Sequence, residues 1–194
     1  MIEKTLVLIK PDAMQRGIIG KIITRFERTG IKIVASKLIL PNKELAVKHY
    51  AKDKEWIMKV GTRARKMFDE INMHKDKSAE QVGQMILNQL SDYLILSPTM
   101  AFVFEGHNVV EHVQKLTGAT APRDAVPGTI RGDYSFDTYD LGNVSNRSVQ
   151  NLIHASDSVE VAKKEISLWF KPEEIHSWKR IDEEILYRGL ENKE

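Results

Sequence analysis

The chain predicts a mixed α and β domain with helices packed on a small sheet, and three observations carry that expectation. Apolar strand-like runs and amphipathic helix-like stretches alternate in the order strand, helix, strand, helices, strand, helix, strand, helix, the order of an α/β or α+β layer. The chain has 194 residues and 42% hydrophobic content, enough for one domain with its own core. No internal repeat and no linker divides residues 1 to 194, which read as a single domain.

Each element has a local signature. Thr5 to Ile9 is a β-rich apolar run closed by Pro11, the pattern of a buried strand. A short turn with Gly17 follows. Ile22, Ile23 and Phe26 then recur at helical spacing, with Lys21, Arg25, Glu27 and Arg28 on the other face, until Gly30 stops the helix. Ile31 to Leu40 reads as a second strand running into Pro41. Asn42 opens a helix that extends to Ala51, with Glu44 in its first turn. Residues 52 to 92 carry Trp56, Val60, Met67, Phe68, Val82, Ile86, Leu87 and Leu90 mostly at helical spacing and read as two or three helices. The basic residues Lys59, Arg63, Arg65 and Lys66 within them read as a solvated face. Met100 to Phe104 is a third strand, and Asn108 to Leu116 a short helix ending near Gly118. Thr120 to Gly132 reads as loop, marked by Pro122, Pro127 and Gly128. Residues 133 to 148, rich in Asp, Tyr, Ser, Asn and Gly, read as a long polar loop. Asn151 to His154 is a fourth short strand. Asp157 and Glu160 then stand at capping-box spacing before a helix whose apolar face is Val159, Ala162, Ile166 and Trp169. The tail beyond Pro172 adds a helical turn or two.

Composition excludes several classes of function. Lysine and arginine total 29 against 27 acids, a net charge of +2, too even for nucleic acid or a membrane surface to be the main partner. Without cysteine there is neither a disulfide framework nor thiolate chemistry, which fits a reducing compartment. The apolar run in MIEKTLVLIKPD is too short for a signal peptide, and no later run approaches a membrane span. The expectation is a soluble, cytoplasmic protein.

Three constellations carry chemistry. NLIHASDS at 151–158 puts His154 between a strand and a helix start, where unpaired N–H groups and the helix dipole favour an anion. A neutral imidazole there is a competent nucleophile. Lys10-Pro11-Asp12 ends the first strand with a cation that can point into a cleft. In PGTIRGD at 127–133, glycines on both sides let the backbone turn, and Arg131 offers a planar fork for phosphate oxygens. Read singly, each has an ordinary explanation as a helix cap, a surface lysine or a structural turn. A Ser-His-Asp hydrolase is not supported, because no G-x-S-x-G elbow is present. P-loop, Rossmann and zinc-site spacings are absent. His49, His74 and His176 show no cluster in the sequence.

Read together and in order, Lys10-Pro11-Asp12, Gln15-Arg16-Gly17, PGTIRGD and NLIHASDS resemble the nucleoside diphosphate kinase family. His49-Tyr50, Glu105 to Val110, Gly118-Ala119-Thr120 and Trp169 to Glu174 look like the same family. The resemblance covers residues 2 to 51, 93 to 134 and 149 to about 178. It implies a ferredoxin-like α+β fold, with helices packed on a four-stranded antiparallel sheet. It implies a ping-pong exchange, in which ATP or another nucleoside triphosphate phosphorylates His154 and a nucleoside diphosphate then takes the phosphate. On that resemblance Glu165 holds the far imidazole nitrogen, Ser156 supports the carboxylate and Asp157 anchors the loop. Lys10, Thr120, Arg131 and Asn151 hold phosphates and ribose, and Tyr50 shapes the cleft. Trp56 stacks on the base and Leu90 lines the same side. Mg²⁺ is implied, held chiefly by the nucleotide phosphates rather than by a protein cage. A homo-oligomer is implied, either a hexamer or a tetramer built from dimers.

Three features depart from the family pattern. Gln114 stands where the family has an arginine. A charged donor contributes about 1.5–3 kcal/mol against about 1 for a neutral one, so binding is expected to weaken about tenfold unless Lys115 or Arg63 substitutes. Residues of about 52 to 92 read as a helical insertion and about 134 to 148 as a loop insertion. An alternative to an active kinase is therefore a catalytically weakened nucleotide-binding or scaffold protein on the same fold.

Overall fold

The computed structural model describes residues 2–51, 53–70 and 73–189. Along the chain run β1 (Ile2–Ile9), α1 (Pro11–Gln15), α2 (Ile19–Glu27), β2 (Lys32–Ile39) and α3 (Lys43–Tyr50). Next come α4 (Lys54–Glu70), α5 (Ala79–Leu94), β3 (Thr99–His107) and α6 (Val109–Thr117). α7 (Ile130–Tyr134), α8 (Tyr139–Val144), β4 (Ile153–Ala155), α9 (Val159–Trp169) and α10 (Glu183–Leu186) complete the order. The sheet order is β2-β3-β1-β4, and every pairing is antiparallel.

β1 is apolar at successive positions because both faces of the sheet are covered. Val7 and Ile9 join Ile22, Phe26, Val109 and Val113 in a core beneath α2 and α6. Leu6 and Leu8 point the other way and join Leu94, Ile166 and Trp169 beneath α5 and α9. Alternation of side chains along a strand makes these two cores. The same rule orients His154. Ile153 and Ala155 lie in the first core, so His154 between them faces the side of α3 and α9, paired across from Leu8. A register shift between Ile33 and Ala35 leaves Val34 as a bulge in β2.

The caps explain most boundaries. The Asn42 side chain accepts the Leu45 N–H at 2.8 Å, and Ser78 with Gln81 forms a full capping box for α5. At α9 the expected cap at Asp157 is displaced by one residue: Ser158 accepts the Val161 N–H at 3.2 Å. Both stretches expected as loops contain helix. Thr129 caps α7 by accepting from Gly132 N, which puts Arg131 on a helix rather than in a turn. Thr138 caps α8 in the same way. The polar composition of residues 134 to 148 reflects an internal frame: buried Asp137 takes both arms of Arg147 at 2.6 and 3.0 Å and the Gln150 N–H. α1 also occupies what reads as a plain turn.

Within residues 52 to 92, the expected helices are α4 and α5; positions 52, 71 and 72 lie outside the described residues. The two helices cross backbone to backbone at Gly61 and Gly83. A Cβ on Gly61 would sit 1.8 Å from the Ala79 carbonyl oxygen, and one on Gly83 would sit 2.1 Å from that of Ile57. The basic stretch on α4 is not uniformly a solvated face. Lys59 and Lys66 are exposed, but Arg65 donates to the carbonyls of His74, Lys75 and Lys77 and closes the α4–α5 turn. No helix among the described residues is long and apolar enough to cross a membrane.

The helix crossing yields a prediction. Gly61→Ala gains helix propensity but drives a methyl into a backbone carbonyl, so it should destabilise the protein by about 1–3 kcal/mol. Urea denaturation monitored by far-UV circular dichroism measures this, and an unchanged midpoint would disprove the close crossing.

Candidate active site

The site lies where β4 meets α9, with side chains from α3, α4, α5, α6 and α7 around it. β4 is preceded by Leu152 at φ 68°, a conformation costly for a side chain of this kind. It is held on both sides: Leu152 N donates to Asp12 Oδ2 at 3.0 Å, and Leu152 O accepts from Lys10 N at 2.8 Å. Arg131, buried on α7, donates to the carbonyls of Gly118 (2.8 Å), Asn151 (3.1 Å) and Ile153 (2.7 Å). Gly118 has to be glycine for this. A Cβ there would meet Thr129 at 2.5 Å, and its φ is +85°.

His154 Nε2 lies 2.8 Å from Glu165 Oε2, and Ser156 Oγ donates to the same oxygen at 2.6 Å. A carboxylate in this position accepts only. The imidazole proton therefore sits on Nε2, and Nδ1 keeps its lone pair. Glu165 is one turn and a half into α9 and buried, so the carboxylate is fixed by a helix and a hydroxyl together.

The cleft in front of His154 has a volume of about 250 Å³. Lys10, Tyr50, Gln114, Thr120 and Arg131 line it, with Asn151, Asp157, Trp56 and Leu90. Thus every site residue expected from the sequence borders one cavity or, in the case of Ser156, the hydrogen-bond chain behind it. Asn151 Oδ1 accepts from Lys10 Nζ at 2.8 Å while its Nδ2 donates to Thr120 O at 2.9 Å. The Tyr50 hydroxyl is buried without a hydrogen-bond partner among the described residues, which suits it to a ligand oxygen. Gln114 has a different task from the one its position suggests. Its Nε2 donates to the Ala155 and Ser156 carbonyls at 2.9 Å each, bracing the junction that carries His154.

The cleft is electropositive. Burial, then the neighbouring Arg131, push the Lys10 ammonium down to about 7, against a smaller opposing pull from Asp12. Burial likewise pulls Arg131 down to about 10, opposed by nearby tyrosines and Asp157. Tyr50 is pushed up by burial and by Glu165. Neither cation has an ion-pair partner among the described residues, so an anionic ligand is the counter-charge that the cleft fits.

Three residues here escape sequence reasoning. His49 packs edge-on against His154 with centroids 4.4 Å apart. The Tyr93 ring lies 5.2 Å from Lys10 Nζ, and its hydroxyl accepts the Asn151 N–H at 3.3 Å. Asp12 holds Leu152. Asp12 and His49 carried a signal only as parts of motifs in the family resemblance, with no role assigned to them, and Tyr93 carried none. His49, His154 and Glu165 also offer atoms within 4.8 Å of one another, the composition of a metal cluster. Trp169 Nε1 donates to His49 Nδ1 at 3.2 Å, however. That puts the His49 proton on Nε2 and makes that nitrogen a donor rather than a ligand.

A strand-end histidine oriented by a helix carboxylate, facing a cationic cleft on a ferredoxin-like sheet, defines a phosphotransferase. The comparison with known proteins makes the class specific. The family model described as nucleoside diphosphate kinase matches residues 3–60 and 66–175, and the chain belongs to that family. It is 42% identical over 181 residues to the nucleoside diphosphate kinase of Pyrobaculum aerophilum, covering 90% of this chain and 98% of that protein. A crystal structure of an NDP kinase from Pyrobaculum aerophilum superposes with a TM-score of 0.87 at 40% identity, covering 91% of this chain and 100% of that one. A transition-state mimic of the Borrelia burgdorferi enzyme with bound vanadate and ADP gives 0.77 at 38% identity, covering 95% and 96%.

The Lys10 environment sets a pH dependence. With its ammonium lowered to about 7, Lys10 is charged in the free protein below that pH and neutral above it. Nucleotide phosphates favour the charged form and raise the value, so binding draws in about one proton above pH ~7 and none well below it. Calorimetric titration of ADP at about pH 8.5, in two buffers of different ionisation enthalpy, should show this uptake in the wild type and not in Lys10→Met. Equal apparent enthalpies in the two buffers would contradict it.

Proposed function

We propose that the protein is an active, Mg²⁺-dependent nucleoside diphosphate kinase that works through a phosphohistidine at His154. One observation carries the reading: the Ser156–Glu165–His154 chain leaves Nδ1 as the nucleophilic nitrogen beside Lys10 and Arg131. The Nδ1 lone pair attacks the γ-phosphorus of a nucleoside triphosphate. The bond from that phosphorus to the β–γ bridging oxygen breaks, and the diphosphate leaves with the electron pair. Glu165 stabilises the positive charge that develops on the ring. A terminal oxygen of a second nucleoside diphosphate then attacks the phosphorus and regenerates His154. Splitting the transfer lets one cleft serve both nucleotides in turn. Lys10, Arg131 and Asn151 align phosphate oxygens, and Thr120 and Tyr50 sit where ribose and phosphate groups meet the wall. Alignment and charge stabilisation are most of what phosphoryl transfer requires.

The carboxylates bordering the cleft are Asp157 and Glu165, and Glu165 is committed to His154 and Ser156. That donor set suits a cation carried in by the nucleotide and completed by water better than a protein-built cage. Mg²⁺ bound in this way neutralises β- and γ-phosphate charge. Absence of cysteine fits a cytoplasmic setting. A homo-oligomer built from dimers is supported by family kinship and by edge strand β2, where Leu38 near its end and Leu40 just past it are exposed.

The test uses γ-labelled ATP with Mg²⁺, followed by unlabelled GDP. Acid-labile, base-stable label should appear on the wild-type protein, move to GTP, and be absent from His154→Ala. Glu165→Gln removes a charge-assisted hydrogen bond of about 1.5–3 kcal/mol, so labelling should slow roughly ten- to hundredfold. An unlabelled wild type that still binds ATP would instead favour the scaffold alternative, for which Gln114 and the two segments read from the sequence as insertions were the support.

A further inference from the structure

The Lys10 side chain is buried, and its ammonium donates one hydrogen bond among the described residues, 2.8 Å to Asn151 Oδ1. Its Nζ lies 5.2 Å from the centroid of the Tyr93 ring, within reach of a cation–π contact, and 5.9 Å from that of Tyr50. Tyr50 borders the cleft and Tyr93 does not. Tyr93 sits in the last turn of α5, buried, and its hydroxyl accepts the Asn151 N–H at 3.3 Å. One side chain outside the cleft wall therefore touches both members of the Lys10–Asn151 pair, the cation through its face and Asn151 through its oxygen. Tyr93 is itself held from two directions. The hydroxyl is fixed on Asn151, and α5 is fixed on α4 by the close crossing at Gly83.

We infer that Tyr93 is a positioning residue for phosphoryl transfer, whose ring face stabilises the Lys10 ammonium and whose hydroxyl holds Asn151 beside it. The inference rests on the nucleotide-kinase reading of the cleft. A buried ammonium without a carboxylate partner needs other electron-rich groups around it. Asn151 Oδ1 is one, and the negative face of a phenol ring is another. A carboxylate in the place of Tyr93 would hold the cation but compete with phosphate for it. A ring face stabilises the charge without neutralising it. The charged and titratable groups facing Lys10 are Asp12 from α1, His49 and Tyr50 from α3, Tyr93 from α5 and Arg131 from α7, with His154, Asp157 and Glu165 across the cleft. Of these, Arg131 works against the ammonium and Asp12 for it. Tyr93 does not titrate in their place. Burial, then Asp12, push its phenol up, against a smaller pull from the Asn151 N–H. Weakening the ring face lets burial neutralise Lys10 at a lower pH, and the nucleotide then has to restore that proton on binding.

Calorimetric titration of the full-length protein with ADP and Mg²⁺, at about pH 5.5 and about pH 8.5, separates the two roles. Tyr93→Phe keeps the face and loses the hydroxyl, so its affinity should fall below that of the wild type by one factor at both pH values. A protein with trifluorophenylalanine at position 93 keeps the shape of that variant and draws electron density out of the face. Relative to Tyr93→Phe, it should bind within about twofold at the lower pH and about three- to thirtyfold more weakly at the higher one. That loss corresponds to a Lys10 midpoint lower by about 0.5–1.5. In a Lys10→Met background the two ring forms should bind alike at both pH values. A ratio between the ring forms that does not change with pH would overturn the inference, because it would make Tyr93 a packing residue only. A Tyr93→Phe protein equal to the wild type would overturn the role of the hydroxyl. Failure of His154 to take label would sink the kinase reading and leave this comparison intact, since ADP binding requires no transfer.

Discussion

The geometry of the cleft depends on one buried guanidinium. β4 is three residues long and pairs with β1 through Val7, Leu8 and Ile9 alone. So short a strand cannot hold a side chain to a fixed orientation by its own ladder. Arg131 supplies what the ladder lacks by joining the carbonyls of Gly118, Asn151 and Ile153. The α6 end, the turn before β4 and β4 itself are thereby tied to α7. Lys10, just past β1, and Asp12, on α1, fasten the same turn, and Gln114 fastens its far side from α6. His154 inherits its position from all of these. Arg131 still has N–H groups to offer the cleft after its three carbonyl bonds, because a guanidinium carries five donors. One residue therefore serves both as frame and as part of the cleft wall, and an amine in its place has neither the reach nor the planar fork.

Much of the fold was legible because it is local. The apolar run at Thr5 to Ile9, the Asn42 cap and the Gly30 stop report on structure that their own neighbours decide, and they appear where expected. The stretch from Thr120 to Val149 was less legible for a physical reason. Its helices are one or two turns long and are started by threonine caps. A buried Asp137–Arg147 pair organises them from ten residues apart, with Gln150 joining Asp137. Polar residues that bond one another inside a frame look, in sequence, like polar residues that face water. The one-residue displacement of the α9 cap has a similar origin. Asp157 and Ser158 are both competent caps; Ser158 takes the Val161 N–H, and Asp157 borders the cleft.

The site divides the same way. His154, Lys10, Arg131 and Asn151 stand in motifs, and chance does not place those motifs together in order. His49 and Tyr93 stand in no motif of their own and reach the site only through packing of α3 and α5 against the sheet. The edge-on contact of His49 with His154 and the Trp169 bond behind it are tertiary facts. Gln114 shows the opposite limit. Its position in the register is clear from sequence, but its two bonds to the β4–α9 junction are not. An amide at that position holds backbone in place, a task for which a formal charge is not required.

The electrostatics follow from the fold rather than from composition. A chain with a net charge of +2 places two cations, each less than a tenth exposed, at one cavity with no carboxylate ion pair among the described residues to offset them. Burying charge in this way opposes folding, and the depressed Lys10 value is the measure of that opposition. The arrangement persists because carbonyl oxygens and the faces of Tyr50 and Tyr93 solvate the cations in place of water. Adding a counter-carboxylate would stabilise the free protein and weaken its attraction for phosphate. Leaving the cations uncompensated couples stability to the ligand: whatever brings negative charge into the cleft binds the native state alone and stabilises it in proportion to its affinity. The same uncompensated charge that makes the empty cleft costly is what makes it complementary to the phosphates of a nucleotide and, more so, to a transferring phosphoryl group spread across its oxygens.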